Sequence, residues 1–262
     1  MTRSMLKQGN DKLSDLLEAE KIEPDWRTGI ALINYYVDRG ENINALLYGK
    51  KYYKKYPDNN YIGLKYAKTL ILNARYKECV EHLKNIIVLP NEGSYEGRDV
   101  YKKANLQMAM ALLKEKKYAK ALDAVNDSKL WLENLGVGKP FDDQIDNCLE
   151  DFITAWIYDK QGERNDAKKY YEQVISYANR EQFPYNSNKC LITIAYKKLG
   201  NDEMAENFMQ NWLQKSPGSN VAKWCNAILK DDVVEAAPWE EVRNDYNFSF
   251  VVDLLQNLDQ SF

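Results

Sequence analysis

The chain is short of the residues that chemistry usually draws on. Its 262 residues include one histidine, His82, and four cysteines, Cys79, Cys148, Cys190 and Cys225, which lie far apart with no C-x-x-C pair. A zinc site needs clustered ligands, so no metal or other cofactor is expected, and the thiols are expected to be buried and reduced. Twelve glycines and seven prolines are too few for an all-β fold crowded with tight turns. Neither charge sign dominates: 36 Lys and Arg face 39 Asp and Glu, a net −3. That balance argues against a phosphate-tracking surface, since nucleic-acid domains usually show a basic excess or stripe, and no nucleic-acid partner is expected. No run approaches the ~18 apolar residues of a membrane span, and the opening "MTRSMLKQGND" has no apolar signal core. No membrane association is expected, and a cytoplasmic location follows if the chain is full length.

What is abundant is aromatic bulk, with 19 tyrosines and six tryptophans, and it is placed periodically. Ala155, Tyr158, Gly162, Ala167 and Tyr171 stand at offsets 0, 3, 7, 12 and 16. The same offsets give Ile33, Tyr36, Gly40, Ala45 and Gly49, then Ala67, Leu70, Ala74, Cys79 and Leu83. They recur as Ala109, Leu112, Lys116, Ala121 and Val125, and as Thr193, Tyr196, Gly200, Ala205 and Met209. Small residues at the first and fourth slots let two antiparallel helices approach closely. The turn slot suits a left-handed residue leaving a helix, and Pro57 and Pro217 stop second helices. Repeats of this period are the mark of a solenoid.

The small–aromatic–glycine–small–aromatic pattern with a closing proline resembles the tetratricopeptide repeat. The fold expected is all-α: a right-handed α-solenoid of about five helical hairpins plus capping helices. First helices are expected near Trp26–Arg39, Tyr61–Asn73, Asp99–Lys114, Gln144–Gln161 and Ser187–Leu199, with a sixth at Asn220–Leu229. Second helices are expected near Asn42–Tyr56, Tyr76–Val88, Tyr118–Leu132, Asn165–Asn179 and Asp202–Lys215. The division is 1–24 as a partial repeat or cap, 25–230 as the solenoid, and 231–262 as a tail docked as a cap, the alternative being a free partner-binding tail. The phrase "KQGNDKL" at Lys7–Leu13 echoes "KLGNDEM" at Lys198–Met204, which makes it a hairpin turn with Gly9 in the place of Gly200. It fits either an N-terminal capping helix or a piece of a longer array.

Fourth-slot residues Ala45, Cys79, Ala121, Ala167 and Ala205 are spaced 34, 42, 46 and 38 apart, so loops swell between units. The loop Asn134–Gln144 holds Gly136, Gly138, Lys139 and Pro140. Its glycines are too close for a P-loop and it follows a helix. Gly136 is expected to end the preceding helix, and Asp142 or Asp143 to cap the next. "NLGVGKPFDD" with "AWIYDKQGERNDAKKYYEQV" is similar to the C-terminal repeat region of large bacterial proteins whose N-terminal part resembles carbohydrate-active enzymes. That catalytic-looking part has no counterpart in this chain.

In such an array first helices line a concave groove. Residues just off the packing slots give Arg27, Asn34, Tyr61, Lys68, Lys103, Met110, Phe152, Trp156, Ile194 and Trp224 as the expected ligand-facing set. The family's two-carboxylate clamp asks for Lys, Asn, Asn, Lys and Arg. Here Ile30, Asn34, Lys65, Lys103 and Gln107 stand at those places, two matches of five. The expected groove is cationic toward Arg27, Lys68 and Lys103 and apolar toward Phe152, Trp156, Ile194 and Trp224. An apolar patch of that kind needs an occupant. The tail beyond Leu229 includes "FSFVVDLLQNL", which must bury its apolar residues, and Pro238 suits the start of a short helix through Arg243.

No catalytic constellation accompanies this. His82 lies on a second helix, paired carboxylates such as Asp231/Asp232 and Glu240/Glu241 are adjacent in sequence, and the lysines of "GKKYYKKYP" form a solvated face around packing tyrosines. The function expected is a non-catalytic interaction scaffold that binds a peptide or partner domain. The alternative is an accessory, glycan-associated module of a larger bacterial protein.

Overall fold

The computed structural model describes residues 10–90, 94–180, 185–230, 232, 236–245 and 247–257. The Lys7–Gly9 turn, the stub before it and most of the Arg180–Asn186 loop therefore lie outside the described residues. Among the described residues there are no strands, and fourteen α-helices follow one another. They are α1 Asn10–Ile22, α2 Trp26–Asp38, α3 Asn42–Lys55, α4 Asn60–Leu72, α5 Tyr76–Asn85, α6 Glu96–Lys114 and α7 Tyr118–Ser128. Then come α8 Cys148–Gln161, α9 Arg164–Ser176, α10 Asn186–Lys198, α11 Asp202–Lys215, α12 Asn220–Leu229, α13 Trp239–Val242 and α14 Phe248–Asn257. The fold class is that of a tetratricopeptide-like α-solenoid: α2 with α3, α4 with α5, α8 with α9 and α10 with α11 pair into hairpins, and within the units α2 also touches α4, α8 touches α10 and α10 touches α12.

Two compact units emerge, Met1–Leu113 with Asn126–Lys139, and Lys114–Val125 with Pro140–Phe262. In the N-terminal unit α1 packs on α2, α2 on α3 and α4, α3 on α4, and α4 on α5. Leu16, Leu32, Tyr35, Ala45, Tyr52 and Ile62 close one core cluster; Ala67, Leu70, Cys79, Leu83, Tyr101 and Ala104 belong to the next. Each fully buried Leu or aromatic there contributes about 1.5–3 kcal/mol before entropy is charged against it. Close approach is achieved where side chains are absent. A Cβ on Gly29 would stand 2.4 Å from the Tyr52 ring, so α2 and α3 meet at a distance that only glycine allows.

The turn slot is the most uniform feature. Gly40, Ala74, Lys116, Gly162 and Gly200 have φ of 71°, 55°, 57°, 80° and 70°. All five are left-handed, although two carry side chains. At four of them the residue after the turn donates back to the second slot: Glu41 to Tyr36 O, Arg75 to Leu70 O, Glu163 to Tyr158 O and Asn201 to Tyr196 O, each at 2.9 Å. This six-to-one bond closes the helix end.

Around the Asn134–Gln144 loop the helix boundaries fall short of the expected ones. Helix α5 ends at Asn85 rather than Val88, α7 at Ser128 rather than Leu132, and α8 begins at Cys148 rather than Gln144. The Asn134 side-chain amide donates to Leu83 O at 2.9 Å and Ile86 O at 2.7 Å, while Val88 N donates to Asn134 O at 2.8 Å. The loop thus caps the α5 terminus, and its Leu135 is buried in the same core. Gly136, φ +70°, ends a 3-10 turn at Glu133–Leu135, not an α-helix. Asp142–Gln144 is itself a 3-10 turn, and Asp146, not Asp142 or Asp143, accepts from Cys148 N at 3.0 Å.

In the C-terminal unit α8 pairs with α9, α10 with α11, and α12 follows α10 and α11. Ten consecutive residues, Cys148–Ile157, are buried on α8, which is therefore enclosed on every side. Helix α14 lies on α10, with Phe248, Phe250, Val251, Val252, Leu254 and Leu255 all buried.

Candidate functional site

The ten residues expected to face a ligand separate by unit. In the N-terminal unit Arg27, Tyr61 and Lys103 are exposed, Asn34 and Lys68 half-buried, and Met110 buried. In the C-terminal unit Phe152, Trp156, Ile194 and Trp224 are all buried. Phe152 packs edge-on to Tyr171 at 5.8 Å, inside its own hairpin. Trp224 meets Phe248 of α14 at 5.6 Å. The repeat offsets register one packing face per helix; they give no sign that α8 is covered all round or that α14 returns onto α10.

The exposed row of the N-terminal unit runs across α2, α4 and α6. Trp26 and Tyr61 stack at 5.8 Å with an interplanar angle of 12°, and Tyr61 keeps 58% of its surface in solvent. The Arg27 guanidinium lies 4.3 Å over the Trp26 ring and 3.7 Å from the Asp25 carboxylate. One turn on, Lys65 Nζ donates to Asn34 Oδ1 at 2.9 Å. Beyond it Lys68 pairs with Glu96 Oε1 at 2.6 Å. The Trp26–Tyr61, Lys65–Asn34 and Lys68–Glu96 contacts join neighbouring first helices, so their spacing fixes the row.

The helix starts are set by the sequence. Asp25 accepts from Thr28 N at 2.8 Å and Asn59 from Ile62 N at 3.1 Å, each capping its helix. The backbone N–H of Thr28 lowers the Asp25 pKa most among its hydrogen-bond partners, against partial burial that raises it. Burial pushes the Lys65 ammonium below its usual value and Lys68 adds to the shift, while Glu96 and Asp38 oppose it. A desolvated ammonium beside a second cation gains more from an added carboxylate than a solvated one does.

Reactive groups lie elsewhere and are inert in kind. All four cysteines are buried and unbridged. Burial pushes Cys79 up to about 12, and its thiol donates to Ala67 O at 3.3 Å. His82 Nε2 sits 2.9 Å from Gly63 O, with Tyr53 and Tyr66 edge-on at 4.5 and 5.0 Å. A carbonyl accepts, so Nε2 carries the proton; the histidine ties α5 to α4. Among the described residues no group of three His, Cys, Asp or Glu could hold a metal ion, and no helix is long and apolar enough to cross a membrane.

No protein-family model matches the chain, and no curated protein matches it. Among solved structures, one from a functional characterization of Pseudomonas aeruginosa pilF covers 83% of this chain and 88% of its own, at 17% identity and a TM-score of 0.46. That level of likeness leaves the assignment of the fold to the hairpins themselves, and the narrower similarity of the Asn134–Asp143 phrase to large bacterial proteins rests on sequence alone. The chain is therefore placed by its own helices as a tetratricopeptide-like repeat protein in fold.

Proposed function

We propose that the chain is a non-catalytic interaction scaffold whose N-terminal unit takes a peptide segment along α2, α4 and α6. The observation that carries this reading is the row of exposed Arg27, Tyr61 and Lys103 with half-buried Lys65 and Lys68, in which Lys65 is held by Asn34 and partly stripped of water. Such a row offers charge-assisted hydrogen bonds to carboxylates and a flat aromatic edge for a side chain beside them. The favoured ligand is an acidic peptide with an aromatic or aliphatic anchor.

The test is selection of a random peptide library on the whole chain, followed by binding of the enriched peptides to two variants. Tyr61→Ala removes an exposed ring, and Lys65→Glu reverses the desolvated charge. Enriched peptides should be acidic and should weaken about tenfold or more with either variant, roughly 1.4 kcal/mol. Peptides that bind both variants as tightly as the parent would refute the site.

A further inference from the structure

Helix α10 begins without a side-chain cap of its own, Tyr185 standing at the N-cap. The C-terminal segment supplies one. Asp245 accepts from Ser187 N at 2.9 Å and from Ser187 Oγ at 2.8 Å. Four residues earlier Glu241 accepts from Asn220 N at 3.1 Å and Val221 N at 3.4 Å, at the start of α12. Two carboxylates four residues apart are thus seated on the N-termini of two successive first helices, where backbone N–H groups point outward and favour negative charge.

The helix that follows completes the seat. Phe248 packs on Trp224 at 5.6 Å and edge-on to Trp239 at 6.2 Å. Asp253 pairs with Lys114 at 3.1 Å. Ser187, Cys190, Ile194 and Trp224, the side of α10 and α12 that the repeat turns toward a ligand, are all buried. Yet α14 falls outside the repeat spacing, and it lies on first helix α10 rather than stacking as the second helix of a sixth hairpin. An apolar helix with an acidic lead, laid along first helices, is the arrangement of a bound helical ligand.

We propose that the first-helix face of the C-terminal unit, α10 with α12, is a groove for an amphipathic helix, and that Glu241, Asp245 and α14 are its tethered resident ligand. The partner it fits is a helix of the same chemistry: two acids four residues apart, then an aromatic–x–aromatic and aliphatic face. Bare release of α14 would expose six apolar side chains and is strongly unfavourable. Exchange for a partner helix of like composition conserves that burial. The groove is therefore occupied at all times, and partner binding is a competition with the resident segment. This stands whether or not the N-terminal unit binds peptide.

Hydrogen exchange on the whole 262-residue chain tests it, with excess isotope-labelled synthetic peptide covering residues 238–257 as the probe. The resident α14 amides should exchange about tenfold faster with the peptide present, while α10 and α12 stay protected. Peptides carrying Asp245→Asn or Phe248→Ala should have little effect. Substituting the peptide keeps the folding of the protein out of the question. If α14 exchange is unchanged by the peptide and tracks that of α10, the helix is an integral part of the core and the proposal falls. If chains instead pair by exchanging α14, a second copy is the occupant, and displacement by a separate partner is refuted.

Discussion

Asp245 accepts hydrogen bonds from both the backbone N–H and the hydroxyl of Ser187, at 2.9 and 2.8 Å, so the start of α10 is capped by a residue 58 positions away. Most helix caps are local; this one makes the C-terminal segment part of α10. Asp245→Ala should cost about 1–2 kcal/mol, and Asp245→Asn, which keeps one acceptor, should cost less. Urea denaturation of the two variants checks the order. Equal midpoints for parent and Asp245→Ala would show that the cap contributes nothing.

The five left-handed turn slots make a matched set. Ala74→Gly and Lys116→Gly relieve a strained backbone and should each stabilise by about 0.5–1 kcal/mol. Gly162→Ala and Gly200→Ala should destabilise by about 1 kcal/mol each, because nothing lies within 4 Å of either new Cβ and only the backbone is strained. Thermal melts of the four variants read the signs.

Gly136 shares that conformation at φ +70° but not that freedom. A Cβ there would lie 2.6 Å from Val88 O, a backbone atom that cannot swing aside. Gly136→Ala should therefore lower the melting temperature more than Gly162→Ala. Asn134→Ala, which strands the Leu83 and Ile86 carbonyls, should cost about 2 kcal/mol. If Gly136→Ala and Gly162→Ala melt together, the loop does not hold α5 as described.

His82 gives a pH dependence with a defined sign. Burial lowers its pKa below the ordinary 6.5, with the Gly63 carbonyl and Glu78 opposing. The unfolded chain then binds a proton that the folded chain resists, so this contribution is present above about 6.5 and is lost as pH falls below it. The urea midpoint of the parent should drop between about pH 7.5 and 5.5, and His82→Gln should flatten that drop. A parent and variant with parallel profiles would assign the slope to other groups.

How far the sequence could be read follows from which forces are local. The hairpins were legible because small residues, turn residues and aromatics recur at offsets set by helix geometry; Asp202–Lys215 and Asn220–Leu229 fall where the spacing puts them. The shortened α5 was not, because Asn134 acts on Leu83 and Ile86 across about 50 positions and no period marks it. For the proposed site, what can be compared is exposure. Arg27, Tyr61 and Lys103 are exposed on first helices, whereas Phe152, Trp156, Ile194 and Trp224 are covered. Periodicity identifies the face that packs within a repeat, but burial by a segment outside the repeat leaves no periodic trace. The two acids Glu241 and Asp245 followed by the aromatics Phe248 and Phe250 were the available signal.

The central claim, that partners are engaged on the first-helix row of the N-terminal unit, is tested most directly by photo-crosslinking. A benzophenone side chain would replace Tyr61 on α4 in one protein and Lys77 on the outer side of α5 in another, each exposed in the fold. Irradiation in cells that express the chain should yield a discrete partner adduct from position 61, absent from position 77 and lost when Lys65→Glu is added. Adducts of the same partner from both positions, or adducts at 61 that survive Lys65→Glu, would contradict the account.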